Sequence, residues 1–378
     1  STKRYFTKGS YINVKEIDRT RERADMSVKV ITDKRSSNNV FDSSISIIEV
    51  CSRRQLQEFI DLPWKIYKEY PLWVPPIKSE MKKMLTHKNP YFEHAKVKHF
   101  LAYKNGEPAG RITAHINDLF LKKHNKPLGF FGFFECIDDQ AVANTLFTAA
   151  ERYLRSQGMK YISGPYCYTI NDPDLGFLIT GFEKEPPMLM PYNPAYYQQL
   201  VENNGYLKKR DLYSYIVSLD EDVESLFEHV LKVSGFKNNN NYVLRPFDIK
   251  HKKRDSGYIS DLYPKIMDRS NAWGFMDITS KEMAQAASYL ELMGIPESCS
   301  FIEFKGSPVG LILTIKDLTR TFRKMNGSLI SPAFFDIFRP MTRSRGMFVG
   351  VLPEHQSKGY GFLLVLKAVL SLKKAGYK

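Results

Sequence analysis

The chain has 378 residues, room for about two domains, and its 43% hydrophobic and 13% aromatic content is ample for packed cores and excludes wholesale disorder. A net charge of +14 favours polyanionic partners: nucleic acid, a membrane surface or a phosphate-rich co-substrate. Four scattered cysteines (Cys51, Cys136, Cys167, Cys299) contain no Cys-x-x-Cys and signal neither a zinc site nor a disulfide framework, and no apolar run approaches the ~20 residues of a membrane helix.

Residues 1–44 are polar and charged with little periodicity, and read as an extension without chemistry. A folded unit, 45–220, opens with a strand at Ile45–Val50 and an amphipathic helix from Arg53 to Leu62, which Pro63 ends or kinks. His99 to Ile112 reads as a β-hairpin turning at Asn105-Gly106. Ser300 to Ile312 has the same layout. Gly110 and Gly310 stand 200 residues apart, as do Trp73 and Trp273. Each hairpin leads to an Asp-Leu pair, a polar loop, an apolar strand and a long helix ending at a glycine, Gly158 or Gly376. That shared order argues for two copies of one domain, 45–220 and 221–378.

In the first copy Phe130 to Cys136 is the apolar strand, Tyr161–Gly164 the next strand, Asn193 to Leu200 a helix and Leu212–Leu219 a closing strand. Between the copies, Asp220 to Phe227 starts a short helix and Lys237 to Asn241 is a loop. The basic cluster Lys250 to Arg254 reads as a solvated loop, with a nucleic-acid contact the weaker alternative. Tyr258 to Trp273 is helical but broken by Pro264, and Ser280 to Met293 is a clearer helix.

The second copy ends in a strand, a glycine loop and a helix. Met347 to Leu352 is short, apolar and β-branched, Pro353 breaks it, and Phe362 to Ala375 is helical. The loop between them holds Gln356, Ser357, Lys358, Gly359, Tyr360 and Gly361. The first backbone N–H groups of a helix lack internal partners, and its dipole puts about half a positive charge there. Two glycines let a phosphate approach the bare backbone. A plain structural helix start is the alternative.

Gln356-x-x-Gly359-x-Gly361 behind an apolar strand resembles the acyl-CoA pyrophosphate loop of the GNAT acetyltransferases. Val349-Gly350-Val351 is similar to that family's strand, whose backbone pairs with the pantetheine arm. The resemblance implies an α/β fold with mixed sheets: two tandem GNAT-like domains. It implies acetyl-CoA as co-substrate, a small amine or peptide acceptor, and an N-acetyltransferase. Val349, Gly350, Val351 and Gln356 to Gly361 would be the CoA-binding residues, with a backbone N–H near Val349–Val351 for the oxyanion.

The first copy has Asp138 and Asp139 where the loop glycines would be. Carboxylates there cap their own helix, and each would repel a pyrophosphate charge by about 4 kcal/mol at ~4 Å and an effective dielectric of ~20. We therefore expect only the second copy to bind CoA. That copy stops at Lys378 without the later strand and helix, so a fragment is expected and the catalytic acid and base are unnamed. Either Glu303 or Glu354 could be a base, but both read first as surface carboxylates, Tyr196 and Tyr197 as packing residues, and His355 as a solvated loop histidine that could touch phosphate. The turn Asn171 to Asp174, with Tyr166, Tyr168 and Tyr192, could line an acceptor cleft or be a plain surface turn. No metal ligands are expected. A cytoplasmic protein without membrane or nucleic-acid partners is expected, and a non-catalytic acyl-CoA-binding or scaffolding protein is the alternative.

Overall fold

The computed structural model describes residues 27–31, 44–170, 172, 174–216, 219, 222–269 and 274–377. The fold is mixed α/β and contains two sheets, one per copy. In chain order the first unit comprises β1 (Ser27–Val30), β2 (Ile45–Glu49), α1 (Arg53–Ile66), α2 (Lys78–Met84), β3 (Ala95–Lys104), β4 (Glu107–Asn117), α3 (Asp118–His124), β5 (Leu128–Cys136), α4 (Gln140–Ser156), β6 (Tyr161–Gly164) and α5 (Tyr197–Asn203). The second comprises α6 (Val223–Val233), β7 (Tyr242–Pro246), α7 (Lys252–Arg269), α8 (Ser280–Met293), β8 (Ser300–Phe304), β9 (Ser307–Lys316), α9 (Thr319–Met325), β10 (Ser344–Val351) and α10 (Tyr360–Lys374).

The first sheet has strand order β1-β6-β5-β4-β3-β2, with β5 and β6 parallel and the other pairs antiparallel. The second is antiparallel throughout, in order β10-β9-β8-β7. The two hairpins match. Asn105-Gly106 and Lys305-Gly306 both have positive φ at both residues (53° and 80°; 50° and 79°), the turn whose twist suits a two-residue hairpin. Both hairpins run into a seven-residue helix that ends on a left-handed asparagine, Asn125 or Asn326.

Helix α4 packs Val142, Leu146, Phe147, Ala150 and Leu154 on the first sheet. Its counterpart α10 packs Leu363, Leu364 and Leu366 on the second, where α6 adds Val230 and Leu231. Helix α7 covers the opposite face of the second sheet with Leu262 and Ile266 against Phe301, Leu311 and Leu313. Full burial of each such side chain is worth about 1.5–3 kcal/mol.

Several expectations need correction. Ser27–Val30, read as part of the polar extension, form the edge strand β1 on β6. Helix α1 continues through Pro63 to Ile66, because a proline in a helix costs one N–H bond that packing of Phe59, Ile60 and Leu62 offsets. Pro264 likewise lies inside α7 without breaking it. Strand β7 was not anticipated. Leu212–Leu219, expected as a closing strand, joins no sheet among the described residues. The basic cluster is a helix start rather than a loop. His251 pairs with Asp248 at 2.6 Å, Lys252 with Glu291 at 3.0 Å and Arg254 with Asp255 at 2.8 Å, so much of its charge is already neutralised. Trp273, part of the spacing argument, lies outside the described residues.

The units meet through polar contacts. Glu185 binds Arg320 (3.1 Å), Arg323 (2.6 Å) and Arg343. Burial works to raise the Glu185 pKa, but Arg320 and Arg323 hold it below the usual carboxylate range. Lys123 reaches Asp268 (2.5 Å) and Asp277 (2.6 Å), and Trp64 Nε1 donates to Asn326 Oδ1 at 2.8 Å.

Candidate functional site

Among the described residues strand β10 pairs with β9 alone, from Ser344↔Lys316 to Val351↔Gly310, with a bulge between Gly346 and Phe348 that takes Met347 out of the ladder. Val351 is buried against α10, while Met347 and Val349 are exposed. Gly350 is required by packing: a Cβ there would come within 2.6 Å of Ile266 Cγ2 on α7. An edge strand presents a row of backbone N–H and C=O groups that an extended ligand can pair with.

The chain leaves β10 through the 3₁₀ turn Pro353–His355, and Gln356 Nε2 donates back to Val351 O at 2.7 Å. Ser357 (φ 64°) and Gly359 (φ 78°) are both left-handed, and Gly359 is the N-cap of α10. No side chain caps this helix. A Cβ added at Gly361 would meet nothing within 4 Å, so the ground in front of the first turn is open. Of the loop residues, Tyr360 turns its ring into the core against Phe236 and Tyr242, leaving its backbone to the loop.

Charge is gathered beside this opening. Lys358 Nζ donates to Tyr242 Oη at 3.2 Å and lies over the Tyr242 and Tyr360 rings. The same hydroxyl is 2.7 Å from His355 Nδ1. Burial and the neighbouring Lys358 charge depress the His355 pKa, with Glu354 opposing, so the imidazole is neutral at pH 7. An uncapped helix N-terminus, a glycine with free space and one adjacent ammonium fit a phosphate. Tyr242 was missed because it sits on the unanticipated β7. Beyond it, a cavity of about 360 Å³ is lined in part by Lys237, Asn239, Asn240 and Lys367.

The first unit is built differently at the same place. Asp139 caps α4 itself, accepting from Ala141 N (2.8 Å) and Val142 N (3.1 Å), and it pairs with Lys104. Tyr166 N donates to Phe131 O at 2.7 Å, and a Cβ at Gly132 would run into Tyr166 O. On this side β5 is thus covered by β6 and then by Tyr166. Tyr196 Oη donates to Cys136 O (2.8 Å), and Tyr197 Oη donates to Glu135 Oε2 (2.7 Å), so both tie this strand to α5. His115, between Tyr91 Oη and Tyr166 O, is pushed by burial down to about 3 and stays neutral.

Two other sequence candidates separate. Glu303 is committed to Arg245 at 2.7 Å, within a cluster that also holds Asp255. Asp172 accepts from Thr169 N (2.8 Å) and Thr169 Oγ1 (2.7 Å) and is half-buried. Surrounding protein pushes it up to about 6 against those bonds. Burial first and the Asp172 charge second push the Tyr263 hydroxyl up, and the Tyr263 ring meets Phe348 of β10 with centroids 4.7 Å apart. Asp174 is solvent-exposed, and Asn171 and Pro173 lie outside the described residues.

No family model matches the chain. Among solved structures it is similar to a tandem GNAT protein from the clavulanic acid biosynthesis pathway, at TM-score 0.47 and 11% identity over 88% of each chain. It is 28% identical over 328 residues to Protein YghO of Escherichia coli, spanning 85% of this chain and 82% of that one. It is 32% identical over 295 residues to a bacterial ceramide synthase of Caulobacter vibrioides, spanning 77% of this chain and 75% of that one. The chain therefore belongs to the family of that bacterial ceramide synthase.

Proposed function

We propose that this protein is an acyl-CoA-dependent N-acyltransferase whose acceptor is the amino group of a long-chain base, the product being an amide of the ceramide type. The observation that carries the reading is the uncapped, glycine-lined helix start that follows directly on the apolar strand β10. The name of the Caulobacter relative supports a fatty acyl donor rather than acetyl-CoA, as do the exposed apolar Met347 and Val349 along β10.

In this reading Gln356, Ser357, Lys358, Gly359, Tyr360 and Gly361 hold the CoA pyrophosphate, mainly by backbone N–H groups with Lys358 as counter-charge. Val349, Gly350 and Val351 pair with the pantetheine arm. The amine attacks the thioester carbonyl, and the oxyanion that forms is met by backbone N–H of β10. The C–N bond forms, the C–S bond breaks, and the thiolate leaves with CoA. The proton lost by the amine passes to Asp172, directly or through water. A carboxylate with a pKa near 6 is a better base at neutral pH than an ordinary aspartate. The first unit serves as scaffold and supplies Asp172.

The test is direct. The chain is incubated with palmitoyl-CoA and sphinganine, and both free thiol and the N-acyl product are measured, with acetyl-CoA as comparison. Amide formation with release of one thiol per amide is expected. Calorimetric binding of CoA without any amide would favour a non-catalytic carrier and sink this reading.

A further inference from the structure

Between α9 and β10 the chain passes Leu329, Ile330 and the 3₁₀ helix Pro332–Phe338. Ile330 is 95% exposed, Phe335 70% and Phe338 67%. Each leaves apolar surface in water that burial would remove. The same helix is firmly anchored on its other side: Ile337 is buried, and Ala333 and Phe334 pack with Ile315, Leu318 and Met325. Residues three apart eclipse in a 3₁₀ helix, so Phe335 and Phe338 share one face. Both rings contact Phe334, at centroid distances of 6.0 and 5.9 Å. The exposed apolar side chains are therefore presented from a fixed platform.

The surroundings are cationic. From Thr319 to Arg345 there are six basic residues (Arg320, Arg323, Lys324, Arg339, Arg343, Arg345) and one acid, Asp336. Asp336 pairs with Lys324 (3.4 Å) and Arg339 (2.8 Å). Glu185 and Asp317 also pair within this group, and Arg345 is turned inward onto Met188 O, which leaves five outer cations against three carboxylates. An apolar tip with a basic rim matches the layering of an anionic bilayer, with acyl chains beneath and phosphates around.

We propose that the segment from Leu329 to Phe338 is an interfacial anchor. Ile330, Phe335 and Phe338 enter the boundary between headgroups and acyl chains, and the flanking Arg and Lys side chains meet lipid phosphates. The segment leads within five residues into β10, so docking brings the acceptor end of the candidate site to the lipid surface. The inference rests on exposure and charge and does not require the proposed reaction.

The test is co-sedimentation of the full chain with vesicles of phosphatidylcholine and phosphatidylglycerol, and with phosphatidylcholine alone. The chain is expected to pellet with the anionic vesicles. A variant carrying Ile330→Ser, Phe335→Ser and Phe338→Ser is expected to partition at least about tenfold less, with only a small change in thermal unfolding, since these side chains are mostly exposed. Equal partition of both proteins, or no binding by either, would overturn the proposal. So would ultracentrifugation showing that the variant merely dissolves a dimer while vesicles are ignored. CoA calorimetry on the same samples reads the reaction proposal separately: CoA binding without vesicle binding defeats the anchor alone.

Discussion

Tyr166 N donates to Phe131 O at 2.7 Å, and that bond covers β5 of the first unit just beyond its pairing with β6. The two copies share hairpins, turn geometry and helix order, yet their long helices begin differently: Asp139 caps α4, and no side chain caps α10. The difference lies in a few residues: Asp139 where the other copy has Gly359, and Tyr166 set against Gly132.

A carboxylate placed at Gly361 should separate binding from stability. The space in front of this residue is open, and an acid in the first turn of a helix is favoured by the dipole, so Gly361→Asp should leave the melting temperature unchanged or slightly higher. The same charge opposes the pyrophosphate by up to about 4 kcal/mol per charge pair before solvent screening. CoA affinity by calorimetry should fall at least about tenfold. A variant that binds CoA as tightly as the parent would remove the phosphate from this loop.

Asp139→Ala tests the opposite arrangement. Loss of an N-cap costs about 1 kcal/mol, and Lys104 also loses its partner, so urea denaturation should show destabilisation of at least that size. CoA affinity should not move. Burial opposes ionisation of Asp139, but Lys104 and the N–H groups of Val142 and Ala141 outweigh it and hold its pKa low. A depressed folded pKa means that this stabilisation is present above the ordinary aspartate value of ~3.9 and is lost as pH falls through the folded value. The variant should therefore be less pH-sensitive than the parent only at the acid end.

Much of this was legible from the chain, and the exceptions have physical reasons. The hairpins announced themselves because Asn105-Gly106 and Lys305-Gly306 supply the left-handed turn that two-residue connections demand. Helix α8 was read to its ends, since the Thr279/Glu282 capping box marks its start and Gly294 its close. Pro264 misled because tertiary packing overrides a local breaker. Strand β7 was hidden because Tyr242–Pro246 is short and ends in proline, so Tyr242 and its contacts with Lys358 and His355 could not be placed. The contact of Tyr263 with Phe348 joins α7 to β10 across 85 residues, beyond the reach of any local pattern.

Asp172→Asn keeps the shape of the side chain and one acceptor for Thr169, but removes the base. With palmitoyl-CoA and sphinganine, kcat should drop by about a hundredfold or more, while the CoA dissociation constant stays within about twofold. The base must be ionised to act, so in the parent the rate should rise as pH climbs through about 6 and then level. That acid limb should vanish in the variant. An unchanged limb would assign it to another group.

The contact between the units should itself depend on pH. His94 Nε2 lies 3.1 Å from Glu282 Oε1, with both side chains largely covered. Burial alone would lower the His94 pKa, but the Glu282 carboxylate outweighs it and raises the value above that of a free histidine. Burial would raise Glu282, and the partner His94 with the Thr279 N–H and hydroxyl brings it below the ordinary value. For a histidine raised on folding, the stabilisation is fully present below the unfolded value of ~6.5 and is lost as pH rises through the folded value. For a glutamate depressed on folding, it is present above ~4.3 and lost as pH falls. The pair should therefore add most between about pH 4.5 and 6.5. Thermal unfolding across pH 4 to 8 should show the parent gaining on a His94→Gln variant within that window, with the two curves converging above it; parallel curves would mean that the pair carries no net charge coupling.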